Sequence, residues 1–153
     1  MNFSGLGRGE LVAAIGALLL AVSLFLPWYE TSAGNPNAAI DGARGALSAW
    51  DVHTLLRWLL LAAAAAPVIL VWIVLREHEL SWPRGELTAV VAIAAFGLVA
   101  YSGVIDRPGS PPSEISLQYG WFGAMLGVIL MAAGGAHRAS KVERARRPPG
   151  VLR

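Results

Sequence analysis

Three side chains capable of polar chemistry fall within two helical turns of one another: Asp51, His53 and Arg57. At i,i+4 spacing His53 and Arg57 share a helix face. A guanidinium is a rigid fork of donors suited to a phosphate or another anion, and His53 would supply a second donor. One reading is therefore a headgroup or anion site. A second is a metal held by His53 with Asp51 or Glu30, although a single imidazole with loose carboxylates is a thin ligand set. The structural reading is that Arg57, followed at once by Trp58, reaches up to lipid headgroups or pairs with Asp51, Asp106 or Glu114.

Elsewhere the chain offers little chemistry. Cysteine is absent, which excludes thiol catalysis, disulfide exchange and thiolate-bound metal. His53, His78 and His137 fall at helix ends or in loops, so no facing pair can hold a haem. The apolar runs contain no central Glu for proton coupling. No nucleophile, base and orienting group lie close enough in sequence to suggest a catalytic site. The expectation is a non-enzymatic protein with no catalytic residue, no metal and no cofactor.

The elements that must position the Asp51, His53 and Arg57 cluster are four charge-free runs, Leu11–Tyr29, Trp58–Leu75, Leu87–Ile105 and Ile115–Ala136, in a chain of 153 residues. At 1.5 Å rise per residue, 18 to 22 residues cover roughly 27–33 Å, the thickness of a bilayer core. Charged residues make up 14% of the chain, against roughly 25% in an ordinary soluble domain. The expected fold is all-α: a polytopic, left-handed bundle of four transmembrane helices at about 10–28, 51–75, 86–105 and 116–137. These form one domain, 1–137, followed by a basic tail, 138–153. The first run exceeds a signal-peptide core and ends in Pro27-Trp28-Tyr29 rather than small residues, so it is read as a retained helix. With the N-terminus cytoplasmic, nine Lys and Arg lie inside against Arg44, Arg57 and Arg107 outside. That asymmetry predicts a multi-pass inner-membrane protein with both termini in the cytoplasm.

Pro27 should stop the first helix. The outer loop Glu30–Trp50 carries a turn signal at Gly34-Asn35-Pro36-Asn37, around which Tyr29–Ala33 and Ala38–Asp41 can pair as a short β-hairpin. Ser48-Ala49-Trp50-Asp51 reads as a capping box that opens the second helix. Pro67 inside that helix removes a donor from Ala63 and predicts a kink; a broken helix can mark a transport site, but the neighbouring residues are all apolar. The second outer loop, with Pro108, Pro111 and Pro112, reads as too proline-rich for a helix or a paired strand.

Gly120, Gly123, Gly127 and Gly134 form a stripe on the last helix, and Gly123-xxx-Gly127 has the spacing that lets two helix backbones meet. The partner is either another helix of the same bundle or a second protein; Ala17-xxx-Ala21 is a weaker stripe of the same kind. Trp28, Tyr29, Trp50, Trp58, Tyr101, Tyr119 and Trp121 map to the outer interface, Trp72 and Trp82 to the inner one, as an aromatic belt does. Arg8-Gly9-Glu10-Leu11 recurs as Arg84-Gly85-Glu86-Leu87, each opening a helix with Glu in its first turn, where the helix dipole favours it. The basic tail suits anionic lipid at the cytoplasmic leaflet without requiring nucleic acid.

Leu26-Pro27-Trp28-Tyr29 closing the first helix, Ala49-Trp50 before the second and Gly120-Trp121-Phe122-Gly123 opening the fourth give the chain its resemblance. It resembles the small four-helix integral membrane proteins of high-GC bacteria, a group mostly uncharacterised. A Trp ahead of a long outer loop is also similar to claudin-type four-helix proteins, but the paired loop cysteines of that group are missing and nothing is carried over. Two roles are expected. The first is an accessory or scaffolding subunit that binds another membrane protein or itself through the last helix or the outer loop. The second is a lipid- or small-amphiphile-binding protein that uses Asp51, His53 and Arg57.

Overall fold

A computed structural model of the chain describes residues 7–76 and 84–146. His78, Trp82 and the tail beyond Arg146 lie outside the described residues. The elements run α1 (Arg8–Ser23), β1 (Pro27–Thr31), β2 (Ala46–Ser48), α2 (Ala49–Val52), α3 (Leu56–Leu75), α4 (Arg84–Ala100), a π-helical turn (Tyr101–Ile105), a 3₁₀ turn (Pro112–Glu114), β3 (Ile115–Leu117) and α5 (Tyr119–Arg146). The protein is mostly helical, and three helices are long and apolar enough to cross a membrane: Leu56–Ile73, Gly85–Ile105 and Tyr119–Ser140.

The expected first helix, 10–28, is shorter in the structure. α1 spans 16 residues, because its last carbonyls are taken over by a different element. Leu24 O accepts from the Trp50 N–H at 3.1 Å, and Ser23 O accepts from Trp28 Nε1 at 2.8 Å. These bonds satisfy groups that a helix end leaves open, and Pro27 starts a strand instead. The expected second helix, 51–75, is also divided, into the single turn α2 and the long α3. The last helix starts later than expected, at Tyr119, and continues without a break from the apolar run into the basic tail as far as Arg146.

The loop hairpin is larger than expected. β1 is the centre of a three-stranded antiparallel sheet in the order β2-β1-β3. Glu30 pairs with Ala46 on one side and Ser116 on the other. Ala38–Asp41 is not the partner of β1. Ile40 and Ala43 bond to each other at 2.8 and 2.9 Å across Asp41 (φ 48°) and Gly42 (φ 81°). Two consecutive positive φ angles are the backbone of a tight I′ turn, for which Asp-Gly is a favoured pair. β3 also corrects the reading of the second outer loop: its prolines all precede Ile115, which leaves three residues free to donate to β1.

α5 is the middle of the helical layer, with α1 on one flank and α4 on the other, while α3 leans on α1 and touches α4 less. The glycines explain why. A Cβ on Gly16 would lie 2.6 Å from Gly127 O, one on Gly134 2.5 Å from Gly9 O, and one on Gly120 2.5 Å from Pro27 O. Gly123 gives room to the Ser23 hydroxyl. The whole stripe Gly120, Gly123, Gly127 and Gly134 thus faces α1 and the chain just beyond it. Gly85 and Gly135 do the same between α4 and α5, each with a virtual Cβ within 3.0 Å of the opposite backbone. The echoed Arg-Gly-Glu-Leu segments therefore use their glycine alike, one on each side of α5.

Large apolar side chains point outward. On α1, Leu11, Ile15, Leu18 and Val22 are exposed, while the small residues Ala13, Gly16 and Ala17 are buried. That inside-out distribution is what a hydrocarbon solvent requires, since it supplies no penalty for exposed leucine and close packing rewards small residues. Gly127→Leu is expected to destabilise the protein by about 1–3 kcal/mol through overpacking. Gly97→Ala, with no atom within 4 Å of its Cβ, is expected to be neutral or stabilising by up to about 1 kcal/mol. Thermal unfolding in neutral detergent checks both; equal stability of Gly127→Leu and wild type would mean that α1 and α5 do not meet along this seam.

Candidate functional site

Position 29 organises the sheet-capped end. The register of β1 slips between Pro27 and Tyr29, a bulge that turns two successive residues inward. Trp28 and Tyr29 are both fully buried in consequence. The Tyr29 hydroxyl lies 3.1 Å from Ser102 O and 2.9 Å from His53 Nε2. A carbonyl can only accept, so the single phenolic proton goes to Ser102 and the oxygen accepts from His53. That fixes the neutral imidazole as the Nε2–H form and leaves Nδ1 as a bare acceptor.

The π-helical turn presents the Ser102 carbonyl. Tyr101 O accepts from Asp106 N–H at 2.9 Å, the wider i→i+5 spacing that often marks a functional position. Gly103 in this turn is required by Trp121, whose Nε1 would lie 2.2 Å from a Cβ there and which donates to Val99 O at 2.9 Å.

The sequence cluster is divided by the break between α2 and α3. Asp51 closes the capping box: its Oδ2 accepts from Ser48 N at 3.2 Å and Ser48 Oγ at 2.6 Å, while Ser48 Oγ accepts from Asp51 N. Arg57 folds back on its own segment, donating to Trp50 O at 2.7 Å with its guanidinium 5.1 Å from the Trp50 ring and 5.7 Å from the Trp58 ring. Among the described residues Arg57 Nε is left buried without a hydrogen-bond partner, and of the three residues His53 alone lines the neighbouring groove. It joins residues that the sequence did not connect with it, Ser102 and Asp106, across this groove of about 350 Å³ between the start of α3 and the end of α4. Leu55, Leu56, Leu59 and Leu98 form the apolar part of that groove, and His53, Thr54, Tyr101, Ser102 and Asp106 its polar part. Among the described residues no three His, Asp or Glu side chains converge to hold a metal ion; Glu30 instead accepts from Gln118 Nε2.

No protein family, characterised protein or solved structure matches this chain. The geometry alone therefore carries the functional reading.

Two other expectations take concrete form. Pro67 is buried within α3, and the residues across from it are not all apolar. It borders a cavity of about 20 Å³ together with Glu10, Thr88 and Arg138, where Glu10 and Arg138 form an ion pair. That volume accommodates about one water. The outer aromatics divide as well: Trp28, Tyr29 and Trp121 are core residues, whereas Trp58, Tyr101 and Tyr119 face outward.

Burial lifts the Tyr29 phenol to about 12, so it stays a donor at any physiological pH. Burial pushes the His53 pKa below its ordinary 6.5, partly offset by the Asp106 charge. The unfolded chain thus binds a proton at His53 more readily than the folded one, and stability rises with pH through this window. The stabilisation is complete above pH 6.5 and is lost as the pH falls toward the depressed folded value. Melting temperature should drop on acidification from pH 7.5 to 5.5, and less steeply in His53→Gln, which keeps a donor for Tyr29 without titrating. Parallel slopes in the two proteins would remove His53 from this role. Tyr29→Phe should cost about 1–3 kcal/mol, because Ser102 O and His53 are left without a partner.

Proposed function

We propose that this chain is a four-span membrane protein with both termini cytoplasmic, and that its groove binds a lipid-like amphiphile at the outer leaflet. α1 is short but extends beside α5 from Gly134 to Gly123, along the same stretch that α5 offers for crossing, which supports a fourth crossing. The nine-to-three distribution of Lys and Arg supports the orientation. The sheet then lies outside and the groove opens at the outer interface.

The observation that carries the binding reading is the division of one groove into a leucine-lined part and a rim of hydrogen-bonding groups. A mostly apolar concavity with a few convergent polar groups, one of them with a shifted pKa, is the usual form of a small-molecule site. At about 350 Å³ it falls at the small end of the ~300–1,000 Å³ range for ligand pockets. That suits a single chain with a compact head better than an entire two-chain lipid.

The accessory-subunit reading changes its location. The glycine stripe is occupied by α1, so a partner helix would need another small-residue surface, and α3 offers one. There Ala17, Ala21, Ala64 and Ala65 line a shallow apolar groove of about 240 Å³ between α1 and α3, the kind of small-residue surface that admits another helix closely.

Native mass spectrometry of protein extracted gently from its membrane separates the two. The amphiphile reading predicts a retained small mass, lost in Leu98→Trp, which fills the groove, and kept in Arg57→Leu, whose guanidinium faces the tryptophans. Retention in Leu98→Trp would refute it. A co-purifying protein released by Ala65→Leu, with no small mass in the wild type, would favour the subunit reading.

A further inference from the structure

Resting on that amphiphile reading, we propose that the ligand's headgroup carries a protonated amine, with the Asp106 carboxylate as its counter-ion. Among the described residues that line the groove, Asp106 is the one charged at neutral pH, while the hydroxyls of Thr54 and Tyr101 can donate or accept and favour neither sign. Asp106 is exposed at the end of the π-helical turn, and among the described residues its carboxylate makes no hydrogen bond or ion pair. Neither Arg57 nor Arg107 lines the groove, and each donates to backbone instead of to Asp106. Arg107 donates from Nε to Gly103 O at 3.1 Å and from Nη1 to Ile115 O at 2.8 Å. Arg57 donates to Trp50 O and lies against two indole rings.

The other polar groups agree. Tyr29 gives its proton to Ser102 O, and His53 gives its Nε2–H to Tyr29, which leaves Nδ1 able only to accept. Ser102 Oγ donates to Val99 O at 3.0 Å, and Asp51 is closed on Ser48. A phosphate or sulfate head would meet a carboxylate with no guanidinium lining the groove to compensate. An ammonium head would meet an opposite charge and, in His53 Nδ1, a second acceptor, the arrangement in which charge-assisted hydrogen bonds are strongest. The Arg57-centred anion site expected from the sequence is thus replaced by a site of opposite preference.

The test compares dodecylamine, dodecanol and dodecyl sulfate, which share one chain, for displacement of a fluorescent dodecyl probe from full-length protein in neutral nanodiscs at pH 7.5. The expected result is that the amine competes at least tenfold better than the sulfate, and that Asp106→Asn abolishes this preference while dodecanol still competes. Lowering the pH until His53 protonates should weaken the amine, because Nδ1 becomes a donor beside Asp106; His53→Gln should remove that effect. Equal competition by amine and sulfate in the wild type would overturn the headgroup assignment and leave the groove standing, as would a preference that survives Asp106→Asn. Failure of all three compounds, or competition unchanged in Leu98→Trp, would overturn the groove itself and the assignment with it. Unfolding temperature of Asp106→Asn close to wild type excludes loss of fold as the cause.

Discussion

The close approach of α1 to α5 is the constraint on which the rest depends. With glycine at positions 9, 16, 127 and 134 the two backbones meet where any side chain would collide within 3 Å of a carbonyl or amide. Such contact rewards dispersion and short-range packing, which is what remains to hold helices together when the solvent is as apolar as their side chains. It also sets the geometry of the capped end. Because Gly120 sits against the carbonyls of Leu26 and Pro27, the strand after α1 and the strand before α5 are brought into register, and Gln118 N–H reaches Trp28 O at 2.8 Å. The sheet is a consequence of the seam.

The cap in turn creates the groove. A bulge in β1 buries Tyr29, and its hydroxyl joins the π-helical turn at the end of α4 to His53 at the end of α2. α3 begins only after that tie, and its contact with α4 is limited. The gap left between them is bordered by polar groups at the cap and by leucines farther down. Rigid elements on both sides hold it: the capped turn α2 on one, the Trp121-filled π turn on the other. Preorganisation of this sort favours binding because the groups need no reordering when a ligand arrives.

Much of this was legible in the sequence where a strong local rule applied. The apolar runs, the Ser48–Asp51 cap and the glycine stripe follow from length, from side-chain hydrogen bonding and from the absence of Cβ atoms, and each appears in the structure as a helix, a cap and a backbone contact. What was not legible depended on distant pairing. Trp28 and Tyr29 belong to an apolar run and read as helix end and belt, yet strand partners 18 and 88 residues away claim Tyr29 and leave Trp28 at the bulge. The Asp41-Gly42 turn was a readable local signal, overshadowed by the richer Gly34–Asn37 segment. His53 and Arg57 share a face only if the helix is continuous, and the chain breaks it to give His53 to Tyr29. Asp106 could not be joined to His53 without the fold, since they cap the ends of different helical segments.

The most direct test of the central claim is where an amphiphile contacts the chain. A long-chain amine with a diazirine at the chain terminus, photolysed with the protein in nanodiscs and mapped by peptide mass spectrometry, gives that directly. The account predicts adducts concentrated at Leu55, Leu56, Leu59 and Leu98, the apolar lining of the groove. Adducts spread evenly over the outward faces of α1 and α5, at residues such as Leu18, Phe122 and Ile129, would show bulk lipid contact and contradict it.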